Sequence, residues 1–356
     1  MKSFEDIKNF VASKMVYCGI DIHKHHWNLC FFCDGIIVEK LTIDSDFHLL
    51  LRHTQRFYSS AQKIHFVYEA GFSGFHLQRQ LAGRNYDCTI TPPNRVPQSH
   101  DKVKTDKRDA NKLAQFLASG LLKKVYVPPL SVEADRQILR LRKGCQQKLT
   151  RVKNQIKSYL NLHGCYSYPV NGSKWSKNYI SWLESLEFEL PTQRFVLQEY
   201  LKEFYYFQNR IAELTCRLQE MAEQKAYQKN YRRLVACKGI GLITAMTFLL
   251  EVHDFHRFPS AEKFTSYLGL TPSQFSSGDH VRLGHITREG NSHVRCALVE
   301  STWTVIRHDP FLCDKYNRIR AKGTNGKKAI VATARSLAVR LRRCLLDDAD
   351  YVVGVA

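Results

Sequence analysis

Nothing in this sequence stays apolar long enough to cross a bilayer. Its most hydrophobic stretch, "GLITAMTFLL" from Gly241 to Leu250, falls short of the ~20 residues a spanning helix needs, and it closely follows Lys238. The opening "MKSFEDIKNF" carries acids and lacks the basic-then-apolar order of a secretory leader. Cysteine pairing is missing as well. The eleven cysteines are odd in number and scattered from Cys18 to Cys344, and the one close pair, Cys30 and Cys33, has no second pair to complete a zinc site. Membrane insertion, secretion and a disulfide scaffold are therefore not expected. Reduced thiols in a cytoplasm are.

Acids are the next scarcity. Only 33 Asp and Glu stand against 53 Lys and Arg, a formal charge of +20 spread through all 356 residues. Such an excess repels itself unless something anionic neutralises it, so a polyanion, nucleic acid above all, is the expected partner. With 44% hydrophobic residues the chain can still bury substantial cores, and it is long enough for two or three domains.

From Met15, "MVYCGIDIHKHHWNLCFFCDGIIVEKLTI" divides into a β-rich run ending near Asp21, a run from Trp27 to Phe32, a turn at Cys33-Asp34-Gly35, and a run from Ile36 to Ile43. Asp-Gly between apolar runs is a hairpin signal. A helical pattern (Phe47 to Ser60), the strand "KIHFVYEA", a helix after Gly74, the strand "YDCTITPP" and a helix beginning near Asp106 follow. Three antiparallel strands and then alternating helix and strand is the element order of an α/β RNase H-like fold. The chain divides into 1–130, a helical 131–228 with coiled-coil character, and a mainly α 229–356.

The few acids fall in telling places. In an RNase H-like sheet the first and fourth strands lie side by side, so Asp21 and Glu69, at the ends of those strands, converge. Asp106 and Asp109, three residues apart, share one face of the helix that packs on the sheet. Clustered carboxylates repel unless a cation compensates, and hard oxygen donors select Mg2+, with Mn2+ as the alternative. Two such ions at roughly 4 Å would bracket a phosphodiester. The neighbouring Lys104, Lys107 and Arg108 are suited to neutralising phosphates. A helix N-terminal acid pair favoured by the macrodipole explains Asp106 and Asp109 alone, and leaves Asp21 and Glu69 unexplained.

Further along, Arg136, Arg140, Lys148, Arg151, Lys153 and Lys157 punctuate the helical middle, as a solvated face or as one that tracks a phosphate backbone. From Tyr231, helix, Gly-Ile-Gly turn and helix have the layout of a helix-hairpin-helix, in which the amides near Lys238 could meet a phosphate; a plain αα-hairpin reads the same way. The segment Leu268 to Arg295 reads as a polar loop, with Ser276 and Ser277 followed by Arg282, His285, Arg288, His293 and Arg295. A serine needs help to act as nucleophile, and cationic neighbours would stabilise the transition state. Beyond it, Lys327 and Lys328 open an amphipathic helix whose Ile330, Ala334, Leu337 and Leu341 form a core stripe.

Taken in order, "GIDIHK", "YEA", "KTDKRDA", "GIGLITA", "YLGLTPSQFSSGDHVRLGHITREGN" and "GKKAIVATARSLAVRL" resemble transposases of the insertion-sequence-110 family, in its eleven-eleven subgroup. The resemblance covers nearly the whole chain. It implies a RuvC-like N-terminal domain with a DEDD tetrad at Asp21, Glu69, Asp106 and Asp109, a coiled-coil connection, and a C-terminal transposase domain whose nucleophile is Ser277, the serine that immediately precedes a glycine. Asp279 and His280 follow that glycine where many relatives carry Gly or Glu, which leaves the base unassigned. It also implies a structured bridge RNA pairing with donor and target DNA, a homo-oligomer in which dimers assemble to a tetramer, and a cytoplasmic, nucleoid-associated place in a prokaryote. Two rival readings are a RuvC-like, metal-dependent, structure-selective nuclease that uses water, and a basic binding protein without catalysis.

Overall fold

The computed structural model describes residues 4–96, 106–165, 174–277 and 280–354, with backbone alone at 95, 106–108, 275–277 and 280–283. Its Cα atoms group into two compact units, divided between Val127 and Pro128.

The first unit runs α1 (Phe4–Val11), β1 (Met15–Ile22), β2 (His26–Cys33), β3 (Ile36–Asp44), α2 (Phe47–Tyr58), β4 (Lys63–Glu69), α3 (His76–Ala82), β5 (Asp87–Thr91) and α4 (Asp106–Ala118). The strands form one mixed sheet in the order β3-β2-β1-β4-β5, antiparallel between β1, β2 and β3 and parallel from β1 through β4 to β5. The β2–β3 turn is made by Asp34 and Gly35, both at positive φ (47° and 80°), the backbone a two-residue hairpin loop needs.

Strand alternation sorts the two faces of the sheet. Cys18, Ile20, Phe66 and Tyr68 point to one side, into a core with Val11, Leu50, Tyr58 and Leu81 from the helices. Glu39 of β3 fastens α2 there, accepting from the Tyr58 hydroxyl at 2.9 Å and pairing with His53 Nε2 at 2.8 Å. On the other side α4 lies directly on β1. A methyl group at Gly19 would stand 2.0 Å from the Ala110 carbonyl oxygen and 2.8 Å from the Ala114 nitrogen, so only glycine lets helix and strand come this close. Buried Cys30, Ala110 and Ala114 complete the contact.

The second unit is mostly helical: α5 (Leu130–Leu162), α6 (Lys177–Ser185), α7 (Pro191–Ala222), α8 (Gln228–Val235), α9 (Leu242–Val252), α10 (Ala261–Tyr267), β6 (Pro272–Ser277), β7 (His280–Ile286), α11 (Ser292–Val305), α12 (Pro310–Ala321) and α13 (Gly326–Leu346). Leu149, Val152, Ile156 and Leu160 of α5, at helical spacing, pack with Leu197, Leu201 and Phe204 of α7 and with Tyr179, Ile180 and Leu183 of α6. A larger core surrounds α9, which is buried from Ala245 through Val252. Ile330, Ala334, Leu337 and Leu341 of α13 are buried, as their spacing predicts. Among the described residues no helix is long and apolar enough to cross a membrane, and all eleven cysteines are free.

One stretch differs from the sequence reading. The segment expected as a polar loop contains an antiparallel two-stranded ribbon, β6 paired with β7 from Pro272↔Ile286 to Ser277↔His280. Its Ser, Gly and charged residues hide the alternation that marks a half-buried strand. In the α8–α9 turn, Gly239 has φ +106° and its α-carbon lies against α11, where a methyl would come within 2.9 Å of Val305. Packing against a helix is thus reason enough for that glycine.

Candidate active site and nucleic-acid interface

The sheet sets the first group of acids. Register pairs Ile20 of β1 with Tyr68 of β4, so the next step places Asp21 beside Glu69 on neighbouring parallel strands, about 4.8 Å apart at the backbone. Asp21 alternates with Gly19 and therefore faces the side of the sheet that α4 covers. Asp109 immediately precedes Ala110, the residue in contact at Gly19, and Asp21 lies two residues, roughly 7 Å, along the strand from that contact. Asp106 opens α4 one turn earlier, where the backbone alone is described. Three acidic positions on three elements are thus mounted around one crossing of helix and strand, with Asp106 on the adjoining turn.

Their surroundings are open. The Asp21 side chain is 23% exposed and its Oδ2 lies 3.0 Å from His23 Nε2, while Glu69 is exposed and Asp109 half-buried. Asn28, buried, is the cross-strand partner of Asp21, and its side-chain oxygen accepts from the Thr42 hydroxyl at 2.8 Å. His23 and Asn28 were not singled out by sequence reasoning. Counting alternation across the β1–β2 pairing would have placed Asn28 beside Asp21. Among the described residues, no three His, Cys, Asp or Glu side chains are grouped as a metal ion would require. Of the neighbouring basic residues, Lys104 lies outside the described residues, and Lys107 and Arg108 fall in the first turn of α4.

The second group belongs to the other unit. Ser277 is the last residue of β6, at the tip of the ribbon, with His280 opposite; Arg282 lies in β7. The base of the ribbon is clamped. Thr287 N–H donates to the Thr271 carbonyl at 2.9 Å, Asn291 N–H to Tyr267 at 3.0 Å, and Arg295 to the Leu268 carbonyl at 2.8 Å. Gly290, at φ +113°, passes so close to Tyr267 that a methyl would sit 2.0 Å from its carbonyl oxygen.

Behind this clamp lies a buried ionic hub that sequence reasoning missed. Glu251, its side chain wholly out of water, accepts two hydrogen bonds from Arg140, each 2.9 Å, and one from the Asn291 amide at 2.9 Å; Arg136 Nε stands 3.7 Å away. Burial alone pushes this carboxyl up, but the bonds from Arg140 and Asn291 outweigh it, and the group titrates below the usual carboxylate range. Asn291 in turn caps α11, accepting from the N–H groups of His293 and Val294 at 3.0 and 3.1 Å. Arg136, read from sequence as part of a face for solvent or phosphate, is therefore buried, while Arg140 pairs with Glu251 and keeps 40% of its side chain in solvent, and Arg151 on the same helix is exposed. A lone Glu ending an apolar run was the available signal.

His285 and Arg288 from one segment and Lys327 and Lys328 from another line one cleft of about 1030 Å³ at the base of the ribbon. Lys238 is exposed in the α8–α9 turn.

Comparison with known proteins gives this arrangement relatives. A family model described as Transposase, of the DEDD and IS110 kind, matches residues 18–164, and one described as Transposase IS116/IS110/IS902 family matches 231–317. The y4qE protein of Sinorhizobium fredii, named as a transposase, is 33% identical over 244 residues, which is 68% of this chain and 59% of that one. The transposase for insertion sequence element IS1533 of Leptospira borgpetersenii is 27% identical over 68% of this chain and 71% of its own length. The transposase for IS1111A of Coxiella burnetii is 23% identical over 81% and 79%. The match thus spans less than two thirds of the first of these relatives and more than two thirds of the other two.

Proposed function

We propose, on the premise that this chain belongs to the IS110 family of transposases, that it is a site-specific DNA recombinase which excises and inserts a mobile element through a serine-linked intermediate. The observation that best supports this is the register that sets Asp21 beside Glu69 on the face where α4 carries Asp109. We read the first unit as RNase H-like, in keeping with its 3-2-1-4-5 strand order. The segments 1–130, 131–228 and 229–356 are read as acid domain, helical connection and serine domain, and the α8–α9 turn as a helix-hairpin-helix.

The donor set suits a divalent cation: four carboxylates, hard oxygen ligands at open strand and helix ends, fit Mg2+ or Mn2+ better than a softer metal. Asp21, Glu69, Asp106 and Asp109 would hold it. When bound, it supplies charge that neutralises the phosphate and the departing oxygen. The protein's own part is positional. In this reading Ser277, at the tip of the clamped ribbon, attacks the scissile phosphorus. Its oxygen forms the new P–O bond, the bond from phosphorus to the 3′ oxygen breaks, and the proton ends on that oxygen. The phosphodiester count is unchanged, so the reverse step on a new 3′-hydroxyl rejoins strands without ATP. Arg282, His285, Arg288, Lys327 and Lys328 offset phosphate charge around the ribbon, and Lys104, Lys107, Arg108, Arg151 and Lys238 follow the backbone elsewhere. Donor and target are chosen by a bridge RNA, on a dimer that assembles to a tetramer.

The test is a denaturing gel of labelled donor DNA incubated with Mg2+, the element's non-coding RNA, and wild-type, Ser277→Ala or Asp109→Ala protein. A protein-linked DNA band that requires both residues is expected. Free nicked DNA made equally by Ser277→Ala would replace this reading with a water-using nuclease, and salt-sensitive binding without cleavage would replace it with a binding protein.

A further inference from the structure

The cleft at the ribbon base is lined by side chains of two kinds. Basic Lys315 of α12 and Lys328 and Arg335 of α13 alternate with apolar Phe311 of α12 and Val331 and Val339 of α13. Among the described residues that line it there is no Asp or Glu. Phe311 is held in place by the Arg340 guanidinium, 5.1 Å from the ring centre, and Lys315 is tethered by a hydrogen bond to Ser336 on the facing helix. A second cavity of about 500 Å³ adjoins at Phe311 and Lys315 and adds Arg318 and Lys322, so the basic lining continues beyond the cleft.

A duplex lying across this surface would satisfy the cations and leave the apolar side chains uncovered, because a phosphate backbone offers nothing to Phe311 or Val339. The volume, about 1030 Å³, lies at the upper end of clefts that enclose a ligand of drug size, about 300–1,000 Å³. A base has a flat apolar face, its phosphate is an anion, and one nucleotide presents the two together. Crowding agrees with this. Burial, then the nearby Arg335 and Arg318, push the Lys315 ammonium below its ordinary value, and an anion beside it would relieve that repulsion.

We propose that the cleft receives a single unstacked nucleotide of the DNA strand engaged at the ribbon, its base against Phe311, Val331 and Val339 and its phosphate against Lys315 and Lys328. This rests on the recombinase reading for the identity of the strand. Ser277 pairs at the ribbon tip and Ile286, which also lines the cleft, at its base. Five residues of strand separate the two levels, roughly 17 Å. That is about five base steps of B-form duplex, so the everted nucleotide lies within that distance of the cleaved bond. Pulling one base from the stack there would mark a fixed point on the strand and set which phosphate reaches Ser277.

The experiment uses the full chain and short single-stranded DNA carrying one 2-aminopurine, the same strand with an abasic site in its place, and the matched duplexes with the probe moved through the five steps on either side of the cleavage position. Anisotropy reads affinity and 2-aminopurine emission reads unstacking. The expected result is an emission change confined to one position in the duplex series, with the abasic single strand binding about tenfold more weakly than the intact one. Ala332→Phe, which fills the cleft from α13, should abolish both effects and leave affinity for the abasic strand unchanged. Lys328→Gln, at an exposed position that leaves the fold alone, should lower the salt slope by about 0.7 on single strands without moving the position of the emission change. Equal affinity for intact and abasic strands, with no position-specific emission, would overturn the proposal while the recombinase reading stands. Absence of any DNA binding at low salt would overturn both.

Discussion

Glu251 keeps its whole side chain out of water, whereas Glu69 lies exposed at the end of a strand, and the two carboxylates stand in opposite surroundings in one basic chain. Around Glu251 every requirement of a buried charge is met internally, by two arginines and an asparagine from α5 and the start of α11. Such a group holds elements together and leaves nothing for a ligand. Asp21, Glu69 and Asp109 differ in exposure, standing at the edge of a helix–sheet contact and partly open to solvent. On the reading proposed above, the contrast separates a carboxylate that serves the fold from carboxylates that serve catalysis.

The largest effect expected from breaking this contrast is at Glu251. Glu251→Ala strands Arg136, Arg140 and Asn291 without their anion and should cost about 3–5 kcal/mol, read as a drop in the urea midpoint of the second unit; a loss below about 1 kcal/mol would remove the distinction. The same group predicts a pH dependence. Its folded pKa is depressed, so its contribution is complete above the unfolded carboxyl value, near 4.3, and is lost as pH falls through the lower folded value. Urea midpoints measured from neutral pH down to about 3 should decline more steeply for wild type than for Glu251→Gln in that acid window.

Next in size is Gly19→Ala. The added methyl meets the Ala110 carbonyl oxygen at 2.0 Å, so α4 must shift, at about 1–3 kcal/mol. Buried Trp27 on β2 reports the first unit's unfolding by fluorescence. If α4 merely rests on the sheet, melting will be unchanged and cleavage will survive. A displaced α4 should lower both.

The smallest change in stability is expected at the open acids. Asp21→Asn removes a partly exposed contact with His23, worth about 0–1 kcal/mol, and Asp109→Asn should do no more. Both should nevertheless abolish DNA cleavage. A calorimetric Tm that falls as far as in Glu251→Ala would reassign either acid to the fold.

Much of the first unit was legible beforehand because its signals are local. The Asp34-Gly35 turn, the three strand-like runs before it and after it, and the helix beginning near Asp106 emerge within a residue or two of where alternation and turn chemistry put them. The acids at strand ends could be chosen because a polar residue closing an apolar run is conspicuous. The ribbon bearing Ser277 was harder to see, since its Ser, Gly and charged residues carry no clean apolar alternation. Arg136 was misread, and the partner of Arg140 missed, for a related reason: on a helical wheel they look like any other basic stripe, and nothing nearby in sequence names Glu251 as their partner.

Composition and short-range pattern were sufficient, with no coordinates, to establish a basic chain with an α/β start, long middle helices and acids concentrated where a strand or helix begins or ends. Each of those features depends on neighbours within a few residues. The pairing of Arg140 with Glu251, 111 residues on, of Glu251 with Asn291, 40 further, and the gathering of His285, Arg288, Lys327 and Lys328 around one cleft became definite only in the folded chain. Whether a charge is solvated, compensated or presented to a ligand depends on which remote groups burial brings beside it, and no local period in the sequence records that.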